Sequence, residues 1–395
     1  MEYIKISFLG DIMCERPFLK AAKIKQHDYD FDQAFSSLKT LNGKSDYVIG
    51  NLETVCAGET RGYTKELYSF NTPDTFISAL KKCGIDFVST ANNHCLDRGL
   101  DGLRRTLDVL DSKGIQHTGT YRSRKESEHA CIIEVMGLKL GIISYTYGTN
   151  SNINDVLLSG DDVYCVNLLQ PQEKKKDNTL LARIKNLVPI ETKTKIRKIL
   201  GKSYKNITID KLPNTLDMTY LNRLADEIKQ VKELSDYTVC LLHCGGQFNL
   251  VPGEYSEYIM EFLQKQGVDS IIGNHPHNVQ KAKKMNNGLK AYCLGNVSIS
   301  PSSIYVPMDN HPDYSAMVHL YFGKKDRLLK KATVSILKIV ESDNNYLEIK
   351  PVFDLFQNTK GNSRQELFRC THEVLQIFME KNITSFEMQE EWEIL

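Results

Sequence analysis

The 395-residue sequence is short of several things, and each shortage removes a class of protein. It has almost no net charge, +1 at neutral pH, so nothing global draws it to nucleic acid or to an anionic membrane surface. Its ten cysteines (14, 56, 83, 95, 131, 165, 240, 244, 293 and 370) are scattered and include no CxxC pair. That argues against a disulfide framework and for a reducing cytosol, where buried cysteine serves as a small hydrophobe. No stretch approaches the roughly 20 apolar residues a membrane span requires. The N-terminus, MEYIKISFLGDIMCERPF, lacks the basic start and long apolar region of a secretory signal. A cytoplasmic protein without a membrane span is the expectation. What remains is 41% hydrophobic and 25% charged, the composition of a globular chain with a substantial core. Its length suits two or three structural units, or one large α/β domain with additions.

Short apolar runs alternate with amphipathic stretches through the first 150 residues, which predicts strands interleaved with helices. Strands are expected at Tyr3–Leu9, Asp46–Gly50 and Ile85–Ser89, and helices near Asp74–Cys83 and at Leu100–Ser112, the latter ending before Gly114. Ala130–Val135 and Leu138–Ser144 flank Met136-Gly137 and read as an antiparallel hairpin, which weakens a purely parallel, doubly wound fold. From about 150 to 213 the composition shifts. Between Lys174 and Lys205 there are 11 basic residues against Asp177 and Glu191, a local charge of +9. This segment reads as an insertion with one or two short basic helices, either a solvated surface or a groove for a polyanion. The α/β rhythm then resumes: helices at Leu221–Leu234 and Tyr255–Gln266, strands at Thr238–His243, Asp269–Gly273, Lys290–Val297, Ser315–Phe322 and Thr333–Val340, and a terminal helix at Gln365–Glu380.

The strongest signal is where the polar residues fall. Five strands run into metal-compatible groups: Gly10-Asp11, Gly50-Asn51-Leu52-Glu53, Asn92-Asn93-His94 with Asp97, His243, and Gly273-Asn274-His275-Pro276-His277. Strand ends converge at one edge of an α/β sheet, so these residues are expected to meet. Carboxylate, carboxamide and imidazole together suit Mn, Fe or Zn. Taken singly, each has a simpler explanation. Asp11 alone could cap a helix beginning near Pro17, Asn51 or Glu53 could shape a turn, and His243 could be a buried strand-end residue. Their common position at strand ends favours a metal centre. His275 and His277 project to the same side of an extended segment with Pro276 between them.

The ordered series GDIMCER (Gly10–Arg16), GNLE (Gly50–Glu53), ANNHCLDRG (Ala91–Gly99), His243, GNHPHNVQ (Gly273–Gln280) and YCLGNVSIS (Tyr292–Ser300) resembles the CapA family of poly-γ-glutamate capsule biosynthesis proteins. That family is similar to the calcineurin-like metallophosphoesterases. The resemblance implies a four-layer α/β/β/α sandwich over residues 1–300, carrying the basic insertion, with 301–395 completing or packing on it. It implies one or two divalent ions (Mn, Zn or Fe) held by Asp11, Glu53, Asn93, His243, His275 and His277, with Glu53 as the bridging carboxylate. It also implies His94 as the acid or base, Asp97 as the carboxylate orienting it, and Arg16, Asn92 and Gln247 toward an anionic substrate.

Two departures bear on function. The metallophosphoesterases have Asp-x-His in the first motif, where this chain has Asp11-Ile12-Met13; methionine is a poor ligand for a hard ion. After His243, neutral Gln247 stands where the family has a carboxylate. Three functions stay open: a metal-dependent enzyme acting on a peptide or polyglutamate-like carboxylate by acid/base chemistry such as epimerisation, a dinuclear phosphoesterase or amide hydrolase, and a non-enzymatic polyglutamate scaffold. Cys14, Cys95 and Cys244, close in sequence to proposed ligands, are read as core fillers.

Overall fold

A computed structural model describes residues 2–25, 28–172, 192, 193, 196, 210–344 and 346–394. The expected basic helices between Lys174 and Lys205 lie outside the described residues, save 192, 193 and 196. Two sheets form the centre. The larger runs β13-β12-β11-β1-β2-β3-β4, with β14 paired to β12. Its strands are β1 (Tyr3–Ile12), β2 (Tyr47–Leu52), β3 (Phe87–Ser89), β4 (Gln116–Thr118), β11 (Tyr314–Gly323), β12 (Leu329–Glu341), β13 (Leu347–Pro351) and β14 (Trp392–Glu393). The smaller runs β5-β6-β7-β8-β10-β9, from β5 (Cys131–Val135), β6 (Leu138–Thr146), β7 (Tyr237–His243), β8 (Ser270–Asn274), β9 (Ala282–Lys284) and β10 (Leu289–Ala291).

The period-2 pattern of each strand decides what lies on either side. Ile4, Ile6 and Phe8 of β1 join Ile142, Val239 and Ile272 of the smaller sheet in the layer between the sheets. Leu9 and Ile12 face the other way, into a second core shared with helices α1 (Arg16–Ala21), α2 (Asp32–Asn42), α3 (Asp74–Lys82) and α4 (Gly99–Ser112). Edge-to-face contacts of Phe31 with Phe18 and Phe76, centroids 5.3 and 5.1 Å apart, tie the first three of these helices together. Each such pair contributes about 0.5–1.5 kcal/mol beyond its buried area. After α5 (Arg124–Ser127) and α6 (Ser151–Asn154), helices α7 (Met218–Leu234) and α8 (Glu254–Lys265) cover the outer face of the smaller sheet through Leu224, Ile228, Ile259 and Leu263. The result is the four-layer α/β/β/α order. Helices α9 (Val352–Asn358) and α10 (Gly361–Met379) follow, and Val374, Leu375 and Phe378 of α10 enter the inter-sheet core.

The hairpin falls where the sequence places it. Met136 and Gly137 have φ of 51° and 82°, the paired positive values a two-residue turn of matching twist demands, and β5 runs antiparallel to β6. Two expectations need revision. The strand expected at Lys290–Val297 stops at Ala291, because Gly295 (φ 79°) turns the chain so that Asn296 bridges to Asp11. The stretch after Asn150, expected to open an insertion, is tied into the core as far as Leu168: Val166 bridges Thr120 and Leu168 bridges Thr146. At the other end of that segment Asp210 is buried, accepts hydrogen bonds from Gly253 N and Ser256 N, and so caps α8.

Candidate metal centre

Asp11 sits where β1 breaks register with β2, opposite Asn51, and its backbone N–H donates to Gly295 O at 3.0 Å. It caps no helix; the N-cap of α1 is Glu15. Glu53 follows β2 directly, its N–H donating to Ile12 O at 2.9 Å. Asn92 builds the turn after β3: its Nδ2 donates to Leu52 O at 2.7 Å and its Oδ1 accepts from His94 N at 3.0 Å. The larger sheet thus presents Asp11, Glu53, Asn93 and His94. From the smaller sheet come His243, the last residue of β7, and His275 and His277 beyond β8, with φ of 100° and 62°. Positive φ at two non-glycine residues costs about 1–3 kcal/mol each and persists only where the surroundings enforce it.

All six proposed metal ligands come together. The donor atoms of Glu53, His243 and His275 lie within 4.8 Å of one another, as do those of Asp11, Glu53 and His277. Glu53 belongs to both triads. Its Oε1 is 3.6 Å from His243 Nε2 and 3.7 Å from His277 Nε2, beyond hydrogen-bonding reach. His243 Nε2 is 2.6 Å from Asn93 Oδ1 and 3.1 Å from His275 Nδ1. Asn51 Nδ2 donates to Asp11 Oδ1 at 2.7 Å and lies 3.2 Å from His243 Nδ1.

The donors are 0–2% exposed. Both Glu53 oxygens, His275 Nε2, Asn93 Nδ2 and Asn51 Oδ1 have no hydrogen-bond partner. A buried carboxylate left so would cost several kcal/mol. Burial, with Asp11 beside it, pushes the Glu53 carboxyl well above its ordinary range. Burial, with the neighbouring imidazoles, pushes His243 and His275 well below theirs, so they are the neutral donors a cation needs. Oxygen and imidazole donors converging on unpartnered atoms fit a divalent first-row ion.

Around the triads a second set of residues fixes the first. His94 Nδ1 lies 2.6 Å from Asp97 Oδ2, and that oxygen also accepts from Phe70 N at 2.6 Å. The Phe70 ring stacks on His94 with centroids 4.3 Å apart, Asn150 Nδ2 is 3.4 Å from His94 Nε2, and His94 Nε2 is 3.9 Å from Glu53 Oε1. His277 Nδ1 is held at 2.9 Å by Asn296 Oδ1, which leaves Nε2 toward Glu53.

Of the residues expected at substrate, Asn92 has its amide engaged by the turn. Arg16 is exposed at the start of α1, its Nη1 3.5 Å from Lys65 O, and Gln247 is half-buried in the loop after β7. Met13 packs in the helix-side core at 1% exposure. Cys14, Cys95 and Cys244 are core members as well. Phe70 and Asn150 were not singled out in the sequence, since nothing in their local pattern marks them. Asn296 had a signal: it lies in the YCLGNVSIS motif, two residues before Ser298 and four before Ser300.

Comparison with known proteins adds ancestry to this geometry. The chain is 23% identical over 288 residues to protein y4sH of Sinorhizobium fredii, covering 66% of this chain and 60% of that one. It is 22% identical over 301 residues to the capsule biosynthesis protein CapA of Bacillus anthracis, covering 75% of this chain and 59% of the relative. It therefore spans about three fifths of the length of these relatives. A solved phosphatase structure from Mycoplasma pneumoniae aligns over 86% of this chain and 94% of its own, with a TM-score of 0.42 and 13% identity. Residues 5–301 match the family model for the bacterial capsule synthesis protein PGA_cap, a stretch that contains every one of the converging donors, and the chain belongs to that family.

Proposed function

We propose that the chain is a divalent-metal-dependent hydrolase of an anionic substrate, an ester or amide bond in a phosphorylated or polyglutamate-like molecule. The observation that carries this reading is the meeting of two buried donor triads at one carboxylate, Glu53, whose two oxygens have no other partner. Asp11, Asn93, His243, His275 and His277 are the further ligands. Bound there, one or two ions would supply Lewis acidity toward the scissile group and make hydroxide available at neutral pH. The protein's own part is proton handling and orientation. Asp97 accepts a hydrogen bond from His94 Nδ1–H and supports the doubly protonated ring, Phe70 holds the ring plane, and the Nε2–H of that imidazolium faces the centre to give its proton to the leaving group. Arg16, at the start of α1, and Gln247, in the loop after β7, serve the anionic part of the substrate. The name of the CapA relative supports a capsule-type polymer or its precursor as that substrate. Residues 1–300 carry the chemistry, and 301–395 brace it through β11–β13. Ten free cysteines fit work in a reducing cytoplasm, and no helix among the described residues is long and apolar enough to cross a membrane.

The test is turnover of an aryl phosphate and of a γ-glutamyl peptide by the full chain loaded with Mn²⁺ or Zn²⁺. Hydrolysis lost in His94→Ala is expected; no turnover of either class with any of several metals would overturn the reading. One observation favours a second reading, α-carbon epimerisation. Met13 is packed in the core where the metallophosphoesterases have a histidine, and a thioether is a poor donor to a hard ion, which favours a single ion. Deuterium uptake at an α-carbon of a substrate peptide in D₂O would support it, and none would exclude it.

A further inference from the structure

Away from the centre just described, a second set of donors meets where the loop before β11 approaches α10. His311 Nε2 lies 2.9 Å from Glu373 Oε2, and the ligand atoms of His311, Cys370 and Glu373 are all within 4.8 Å of one another. Cys370 and Glu373 are three residues apart in α10 and so share a helix face. Cys370 is 6% exposed and His311 and Glu373 are half-buried; His311 and Cys370 line a cavity of about 490 Å³ that gives an ion a way in and room for water. The loop is held in an unusual shape to bring the imidazole there: Asn310 and His311 have φ of 64° and 53° in succession, neither a glycine. Strain of that kind needs a compensating interaction.

We propose that His311, Cys370 and Glu373 form a second, independent cation site for a borderline-soft divalent ion, zinc above all. Nitrogen, sulfur and oxygen donors from three side chains, with water completing a tetrahedron, are a zinc-type set that hard ions such as magnesium or calcium would not choose. Without an ion, Arg369 balances Glu373, its Nη1 2.6 Å from Oε1, and its Nη2 is 3.4 Å from Cys370 Sγ. The Arg369 side chain is 61% exposed and can turn into solvent when a cation takes its place. The site also touches the main centre indirectly. Pro312, next to His311, accepts from Asn296 Nδ2 at 3.2 Å, and Asn296 holds His277. An ion at His311 would therefore pin the loop that supports one of the main ligands.

The probe is Co²⁺ added to the metal-stripped full chain. The main centre has only oxygen and nitrogen donors, so a cobalt–thiolate charge-transfer band reports cobalt bound by a cysteine elsewhere, and Cys370→Ser assigns that cysteine. A band that saturates with the intensity of one thiolate-bound cobalt per chain is expected in the wild type and in His275→Ala, and it should vanish in Cys370→Ser. His311→Ala, a loop change that leaves α10 intact, should weaken cobalt binding about 10–100-fold. No band in the wild type, a band that survives Cys370→Ser, or unchanged affinity in His311→Ala would each overturn the proposal. None of these outcomes depends on whether the main centre is hydrolytic.

Discussion

Glu53 and His94 divide the work at the scale of single residues. Glu53 stands in both donor triads, whereas His94 stands in neither and is held by Asp97 and Phe70. The His94→Ala variant should therefore lose about 10²–10⁴-fold in kcat while keeping its metal, which elemental analysis beside steady-state kinetics would check. Replacing Asp97 by asparagine should lower kcat less than His94→Ala does and leave the metal content unchanged, because the ring is no longer held by a carboxylate; an unchanged kcat would make Asp97 merely structural. That the ligand residues converge was legible in the sequence because the strand ends of an α/β sheet share one edge. Their supports were not. Phe70 acts through a ring face and a backbone N–H, and Asn150 through a contact 56 residues away, relations no local pattern carries. The position of Asn92 beside Asn93 and His94 suggests a substrate role, yet its amide closes the turn that presents them.

Among the elements, β1 and β11 carry the most constraint. His319 of β11 is 0% exposed between Ser7 Oγ at 2.7 Å and Ser335 Oγ at 3.0 Å. Burial, aided by the charge of Lys5, lowers its pKa to about 3 from an ordinary 6.5. The unfolded chain binds the extra proton between those values, so the contribution of His319 to stability is complete above pH 6.5 and is lost as pH falls toward 3, at about 1.4 kcal/mol per pH unit at most. Urea unfolding across that range should show a shallower acid slope in His319→Gln than in the wild type. Gly10 of β1 makes the other constraint. A Cβ there would lie 2.0 Å from Gly295 O, and the same close approach allows Val297 N to donate to Asp11 O at 2.8 Å. Substituting alanine should cost on the order of 1–3 kcal/mol and reduce metal content, since Asp11 and Asn296 must move apart. Most strands and helices were readable from periodicity, and the β5–β6 hairpin from its turn residues. The early end of β10 was not, because the departure of Gly295 is set by contact with Asp11 on another strand. For the same reason the tie of Val166 and Leu168 into the core was hidden in what resembled an insertion.

For the whole molecule, the two sheets meet at the centre from opposite sides: Asp11, Glu53 and Asn93 from one, His243, His275 and His277 from the other. A bound ion is then a staple between sheets as well as a reagent. Free metal at about 100 times its dissociation constant should stabilise the fold by about 2.7 kcal/mol. Thermal unfolding should accordingly move up with added Mn²⁺ or Zn²⁺ and return on chelation, and a midpoint indifferent to both would deny the staple. The layer order was legible because the strand and helix rhythm and the order of motifs agree; which residues stand in both triads was not, because sharing is a matter of distances across two sheets. That sharing is best tested by the metal stoichiometry of the desalted full chain beside its Glu53→Ala and His275→Ala variants. A shared Glu53 predicts that Glu53→Ala empties the centre while His275→Ala removes no more than one ion. Metal retained at the wild-type level in Glu53→Ala would contradict it.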